Sequence, residues 1–161
     1  MNKFELITMT PVGVVRSSIT GSVDDVWGGL VSRIDLDPER FSPQSLVGLE
    51  KFSHVQILFH LHAVADDTIV TGTRHPRGRA DWPEVGIFAQ RGRNRPNKIG
   101  LSTCTLLGVE GTSLTVANLD AIDGTPVLDI KPYIVEFGPQ GEVKQPAWAT
   151  ELMAGYFGKR E

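Results

Sequence analysis

Short stretches in which apolar and polar residues alternate recur along the chain, and clusters of Gly, Pro, Asn and Asp separate them. Alternation with a period of two is typical of strands that bury one face. In the stretch that starts at His54, we expect one face to be core, and it carries Val55, Ile57, Phe59 and Leu61. The opposite face carries Gln56, Leu58, His60 and His62. The predicted strands cover residues 11–17, 30–36, 54–64, 84–90, 99–109, 113–118 and 127–135, with 68–73 as a continuation of the sheet.

The segments between these strands carry turn and helix signals. A short helical turn is expected over residues 43–49, and residues 74–83 are rich in Pro, Gly and Arg, which is typical of a surface loop. Gly111 marks a β-hairpin, whereas Pro132 lacks a ladder donor and predicts an edge or a bend. Apolar residues at helical spacing over 146–157 predict a terminal amphipathic helix whose apolar face needs a partner.

Many short strands with few helices favour a mainly β fold: a small closed or strongly curved β-barrel with short helices, one of them C-terminal. A doubly wound α/β fold is not indicated, because no GxGxxG motif follows the first strand. With 161 residues and 40% hydrophobic content, we predict one domain over 1–161, with a core over 11–135 and a C-terminal extension over 136–161.

The chain has no run of about 20 apolar residues for crossing a bilayer, and MNKFELITMT lacks the pattern of a secretory signal. We therefore expect a cytoplasmic protein without a membrane partner. The single cysteine, Cys104, excludes an internal disulfide and a multi-cysteine zinc site. Its apolar surroundings predict that it is buried.

A net charge of −3 gives no global attraction to polyanions, so nucleic-acid binding would need a local basic patch. Residues 74–98, the basic segment, carry seven of the sixteen Lys and Arg residues. Such a segment is either a solvated face or a binding site. Its RGRNRPN sequence over 91–97 can present guanidinium groups to a carboxylate or a phosphate, or it can be a solvated hairpin tip.

A second stretch with chemical potential is LDAIDGTPVLDIKPY over residues 119–133, in which DGTP has the composition of a turn. Three aspartates lie beside Lys131 in this otherwise apolar run: Asp120, Asp123 and Asp129. Burying them unpaired would be costly. Either arginines of the basic segment pair with these carboxylates, or an amine or ribose hydroxyls of a ligand do.

Three motifs, GLEKFSHVQILFHLH, VGIFAQRGRNRPNKIGLS and LDAIDGTPVLDIKPY, together resemble the signature of the TsaA-like (TrmO) methyltransferases in the same order. The resemblance covers residues 11–133 and is strongest after Gly48. It implies a compact β-barrel, a homodimer and S-adenosylmethionine held by loops that follow the strands. It also implies methylation of the exocyclic amine of threonylcarbamoyl-adenosine next to the anticodon of transfer RNA.

The resemblance also carries residue roles. The implied cofactor contacts are His62, Ala63, Arg91, Leu101, Ala121, Ile122, Asp123 and Gly124. Arg91 would clamp the methionine carboxylate, and Leu101 would cover the adenine ring. The implied RNA contacts are Arg93, Arg95 and Lys98, and the candidates for orienting the acceptor are Asn97, Asp129 and Lys131. No metal is implied.

Two departures from the family pattern concern the substrate. A Pro-Arg-Gln-like segment is replaced by ITGSVDDVWGGL, in which Trp27 either stacks on adenine or packs in the core. Longer members carry an extra C-terminal domain, whereas this sequence stops soon after Phe157. A tRNA substrate is therefore expected to depend on the basic segment and on the surface that the dimer assembles.

Two other functions compete with this one. His60 and His62, with Asp66 and Asp67 shortly after, have a spacing that can ligate a metal in a cupin-like barrel enzyme. The other alternative is a non-catalytic module that binds S-adenosylmethionine or RNA. Stacking aromatics in the basic segment would favour it, but we expect only Trp82 there, with Phe88 in the core.

Overall fold

A computed structural model describes residues 4–158, and eight strands and one α-helix form within this range. The strands are β1 (Gly13–Arg16), β2 (Val31–Leu36), β3 (His54–His60), β4 (Thr73–Arg74), β5 (Val85–Gly86), β6 (Ile99–Glu110), β7 (Ser113–Ala117) and β8 (Pro126–Pro132). Helix α1 spans Ala147–Met153. Single 3₁₀ turns cover Pro43–Leu46, Leu49–Lys51, Asp66–Thr68, Pro76–Gly78, Ile87–Ala89, Pro96–Lys98 and Val135–Phe137.

Six of the strands close into an antiparallel barrel in the order β1-β2-β7-β6-β3-β8, which confirms the predicted fold class. Because neighbouring strands alternate in direction, three connections lie at the same end of the barrel: residues 17–30, 61–98 and 118–125. We call this the site end. The connection 37–53 and the β6–β7 hairpin lie at the opposite end.

The barrel interior is filled by alternate residues of each strand. In β3, Val55, Ile57 and Phe59 are buried as predicted, whereas Leu61 lies beyond the strand end and is half-buried. Cys104 is also buried, as predicted. Burial, with a smaller contribution from the nearby charge of Asp120, raises the pKa of the Cys104 thiol to about 12.

Several predicted elements differ from the structure. Of residues 84–90, only Val85–Gly86 is a strand, and it pairs with β4 outside the barrel. Residues 68–73 begin with the end of a 3₁₀ turn and reach β4 only at Thr73. The prediction that Phe88 lies in the core is wrong, because this side chain is 79% exposed in the 3₁₀ turn after β5.

Pro132 lies at the end of a strand. It is the last residue of β8, and it lies opposite Val55 of β3. Because β8 pairs with β1 only at Pro126 and Val127, Pro132 has β3 alone as its ladder partner among the described residues, which agrees with the predicted edge. The loop prediction for 74–83 holds for most of that range, although Pro76 and Trp82 are buried.

The predicted C-terminal helix forms, and residues of the basic segment provide part of its partner surface. Trp82 Nε1 donates a hydrogen bond to Oε2 of Glu151 in α1 at 2.7 Å. The predicted extension includes residues 159–161, which lie outside the described residues, as do 1–3. The division into a core and an extension stays a prediction. No helix within residues 4–158 combines the length and apolar character that a membrane crossing requires.

Candidate functional site

The loop after β3 and the start of β6 are tied together at the site end. The Leu61 amide donates to the Lys98 carbonyl at 2.8 Å, and Lys98 Nζ donates to the Val64 carbonyl at 3.0 Å. The predicted cofactor residues His62 and Ala63 lie exposed between these two anchor points. The loop is thus held in place while its tip stays open to solvent.

Arg91 lies against the backbone of β6. Strand β7 pairs with β6 only from Thr105 onward, so the first residues of β6 have one edge without a barrel neighbour. Arg91 Nη2 donates to the Leu101 carbonyl on this edge at 2.5 Å. The Leu101 side chain is 39% exposed. Arg91 and Leu101, which the motifs assign to the cofactor, are therefore in direct contact.

The connection 118–125 is fixed by hydrogen bonds at both of its ends. The hydroxyls of Ser102 and Tyr156 donate to the two carboxylate oxygens of Asp120. The Ser17 amide donates to Oδ1 of Asp123 at 3.0 Å, and the Asp123 amide donates to the Ile19 carbonyl at 2.6 Å. Hydroxyl and amide donors, rather than the predicted arginines, thus satisfy these two carboxylates.

Gly124 supplies the conformation that this turn requires. Its φ of +77° lies in the left-handed region that favours glycine. Its amide donates to the Val15 carbonyl at 2.9 Å, and a Cβ at this position would meet no atom within 4 Å. Ala121 is buried, while Ile122, Asp123 and Gly124 are partly accessible. Open space therefore borders the backbone of the predicted cofactor loop.

Consecutive residues of β6 connect the basic segment to the connection 118–125. Leu101 accepts from Arg91, and the next residue, Ser102, donates to Asp120. All eight predicted cofactor residues lie in the site-end connections or among the first residues of β6, which border them. The fold thus brings together three motifs that are well separated in sequence.

Most charges of the basic segment have partners within the chain. Arg77 makes a bidentate contact with Asp25, at 2.8 Å for each nitrogen. Arg93 donates to Ser22 and lies 3.5 Å from Asp24. Among the other predicted RNA contacts, Arg95 donates to the Gln90 carbonyl at 2.9 Å and Lys98 pairs with Asp66 at 2.6 Å. Arg91 and Arg93 remain exposed.

The three candidates for orienting the acceptor are not brought together. Asn97, with a φ of +61°, is exposed at the site end. Asp129 and Lys131 form an ion pair on β8 at 2.8 Å. Asp129 also lines a cavity of about 410 Å³ against the 37–53 connection of the opposite end, beside Phe41 and Leu46. Asn97 is therefore the candidate at the site end, whereas Asp129 and Lys131 lie along β8.

Trp27 is 4% exposed, and its amide donates to the Tyr156 carbonyl at 2.9 Å. The structure thus agrees with core packing and contradicts stacking on adenine. The contact also shows a residue that sequence reasoning missed. Tyr156 falls within the helix predicted over 146–157, and nothing in its local pattern indicates the hydrogen bond that it donates to Asp120.

The positions of the candidate metal ligands do not support the cupin-like alternative. Strand β3 ends at His60, so His62 does not continue its face. Burial, together with the charge of Lys98, lowers the pKa of His60. In the part of the chain that the structure describes, no group of three or more His, Cys, Asp and Glu residues is placed to hold a metal ion.

Comparisons with known proteins agree with the motifs. A human protein named tRNA (adenine(37)-N6)-methyltransferase is 42% identical over 114 residues, which are 71% of this chain and 24% of that protein. A "Probable S-adenosyl-L-methionine-binding protein" of Methanothermobacter thermautotrophicus is 38% identical over 139 residues, covering 84% of this chain and 96% of that protein. The chain thus spans about a quarter of the human relative and nearly all of the archaeal one.

Solved structures share the fold. The crystal structure of TrmO from Pseudomonas aeruginosa superposes with a TM-score of 0.72 at 29% identity, covering 92% of this chain and 64% of that one. The family model for the tRNA-methyltransferase O N-terminal domain matches residues 25–138, a span of 114 of the 161 residues. The chain belongs to the tRNA-methyltransferase O N-terminal domain family.

Proposed function

We propose that the chain is an S-adenosylmethionine-dependent methyltransferase that modifies transfer RNA, with the exocyclic amine of threonylcarbamoyl-adenosine as the methyl acceptor. The observation that carries the proposal is the meeting of Arg91, the 61–64 loop and the 121–124 loop at one end of the barrel. The human relative's name includes the tRNA methyltransferase activity, and that of the archaeal relative includes S-adenosylmethionine binding.

The residues at the site end fit the parts of this cofactor. A guanidinium has five N–H donors, and Arg91 uses one of them on the Leu101 carbonyl. The others are free to bind a carboxylate in the bidentate manner that arginine favours. The half-exposed Leu101 side chain offers apolar contact for a ring, and the open backbone beside Gly124 offers hydrogen-bonding groups without steric obstruction.

When bound, the cofactor supplies a methyl group on a sulfonium, which is a good leaving group, so the protein needs no covalent nucleophile. The chain's task is then to hold donor and acceptor in line and to exclude water. Arg91 and the 121–124 loop, which both lie beside the first residues of β6, would together hold the methyl donor. Asn97 is the acceptor-orienting candidate that lies at the same end.

RNA recognition would depend on Arg93, which is the predicted RNA contact that remains exposed. The exposed Phe88 lies in the 3₁₀ turn Ile87–Ala89, three residues before Arg91 and between the buried residues Ile87 and Gln90. Exposed aromatic rings stack on unpaired bases, and adjacent arginines bind the backbone phosphates. Phe88 therefore adds a stacking group that the sequence did not predict.

A homodimer is part of the proposal. The outer face of β3 and β6 presents apolar side chains that are only partly covered, among them Leu58 and Ile99. Pairing these faces in two copies would cover them beside the proposed cofactor site. Sedimentation velocity measures this directly, and a monomer at micromolar concentration would remove the homodimer from the proposal.

The decisive experiment combines binding with transfer. Calorimetry should detect micromolar affinity for S-adenosylmethionine, a usual range for enzyme ligands. Incubation with total tRNA from a strain that lacks its own enzyme should add one methyl group to threonylcarbamoyl-adenosine, measured by nucleoside mass spectrometry. Binding without transfer would indicate a non-catalytic module, and neither binding nor transfer would refute the function.

A further inference from the structure

The C-terminal segment, residues 147–158, folds back onto the site end of the barrel. The Trp27 amide donates to the Tyr156 carbonyl at 2.9 Å, and Trp82 Nε1 donates to Glu151 at 2.7 Å. The Phe157 carbonyl lies so close to Gly28 that a Cβ there would be 1.9 Å from the oxygen. The segment is thus closely packed against the barrel, although the family match ends at residue 138.

One side chain of this segment reaches the predicted cofactor loop. The Tyr156 hydroxyl donates to Oδ2 of Asp120, and the buried Ser102 hydroxyl donates to the other carboxylate oxygen, Oδ1. Burial and the charge of Asp120 raise the pKa of Tyr156, so the phenol keeps its proton and remains a donor at neutral pH. Asp120 is followed directly by residues 121–124.

We propose that Tyr156 is a positioning residue of the cofactor site, whose hydroxyl acts through Asp120 to hold residues 121–124 in the conformation that receives S-adenosylmethionine. The inference rests on the proposed function. The far end of this loop is already fixed, because Asp123 bonds to the backbone of Ser17 and Ile19. Without the Tyr156 hydroxyl, Ser102 alone would hold Asp120, and the cofactor would have to order the loop as it binds.

The test is Tyr156→Phe, which removes one hydroxyl and keeps the ring. The dissociation constant for S-adenosylmethionine should rise about three- to tenfold, the range of one net hydrogen bond. Affinity for tRNA without cofactor should not change. Glu151→Ala is the matched control, because it breaks the other side-chain contact of the same segment without touching Asp120. It should change cofactor affinity less than about twofold.

Ser102→Ala approaches the same carboxylate from the strand and gives a second variant if Tyr156→Phe fails to fold. It should weaken cofactor binding by a similar factor, and the double variant should be non-additive, since both hydroxyls act through Asp120. Unchanged cofactor affinity in a folded Tyr156→Phe, or equal weakening by Glu151→Ala, would overturn the positioning role. A wild-type protein that binds no cofactor would instead refute the proposed function itself.

Discussion

Replacing Arg91 by alanine tests the proposed cofactor contact most directly. In the structure this guanidinium is exposed and uses one N–H on the Leu101 carbonyl, at 2.5 Å. A pair of its remaining N–H groups would bind the methionine carboxylate. Hydrogen bonds to charged groups contribute about 1.5–3 kcal/mol, and exposure of the site favours the lower part of that range. Cofactor affinity should therefore fall roughly 10- to 40-fold in Arg91→Ala.

The assay compares two ligands by calorimetry. S-adenosylmethionine carries the carboxylate, whereas 5′-methylthioadenosine has the same nucleoside without it, so only the first should lose affinity. Arg79→Ala is the control, because Arg79 belongs to the same basic segment but pairs with Asp81 on the surface. Equal losses for both ligands would mean that Arg91 acts by holding β6, and unchanged affinity for S-adenosylmethionine would refute the contact.

Three further outcomes follow from the packing and charges. Gly100→Ala should lower the free energy of unfolding by about 1–3 kcal/mol in a urea titration, because a Cβ there would lie 2.2 Å from the buried Phe59 ring. Hydrogen bonds from Arg77 lower the pKa of Asp25 below its usual 3.8, so this pair stabilises the fold above that pH and its contribution is lost as the pH falls through the lowered pKa. Arg77→Ala should therefore reduce the acid-induced loss of stability below about pH 4. Because burial raises the pKa of Cys104 to about 12, a thiol reagent at neutral pH should modify the protein only after unfolding.

A specific result would contradict each of these three predictions. Gly108→Ala lies in the same strand, where an added Cβ meets no atom within 4 Å, so it should cost much less than Gly100→Ala. Equal losses would show that strand propensity, and not the aromatic contact, sets the effect. An acid profile that Arg77→Ala leaves unchanged would remove the Asp25 assignment, and rapid labelling of native Cys104 would contradict its burial.

The barrel strands were predictable because their signal is local. The alternation in β3 matches its burial pattern residue by residue from His54 to His60. Gly111, with a φ of +57°, marks the β6–β7 hairpin where the sequence placed it. Both features depend only on residues that are close together in sequence, so the periodicity and the turn residues are sufficient to predict them.

The strand prediction for residues 84–90 was wrong because contacts with residues distant in sequence override the local pattern. The Ile87 backbone amide donates to the Gly72 carbonyl, and the buried side-chain Nε2 of Gln90 donates to the carbonyls of Arg74 and Val85. These bonds satisfy the backbone in a 3₁₀ turn that buries Ile87 and leaves Phe88 exposed. Alternation alone cannot show that a polar glutamine will be buried while its aromatic neighbour is not.

The sequence predicted which residues form the candidate site, but it did not predict the hydrogen bonds that connect them. Motif resemblance selected residues that the fold does bring to one end of the barrel. It gave no sign that Tyr156 reaches Asp120, because a hydrogen bond between residues 36 positions apart leaves no trace in either local pattern. The same holds for Arg77 and Asp25, which are 52 positions apart.

Internal pairing also determines which arginines can bind a polyanion. Arg77 makes two hydrogen bonds to the partly covered Asp25, so a phosphate would have to replace a well-formed bidentate contact. Arg93 lies 3.5 Å from an exposed Asp24, and an ion pair of that length in solvent is worth little. Arg91 contacts no carboxylate in the described part of the chain, only a carbonyl. The phosphate-binding capacity of the basic segment is therefore concentrated in Arg93, while Arg91 is left for the proposed cofactor contact.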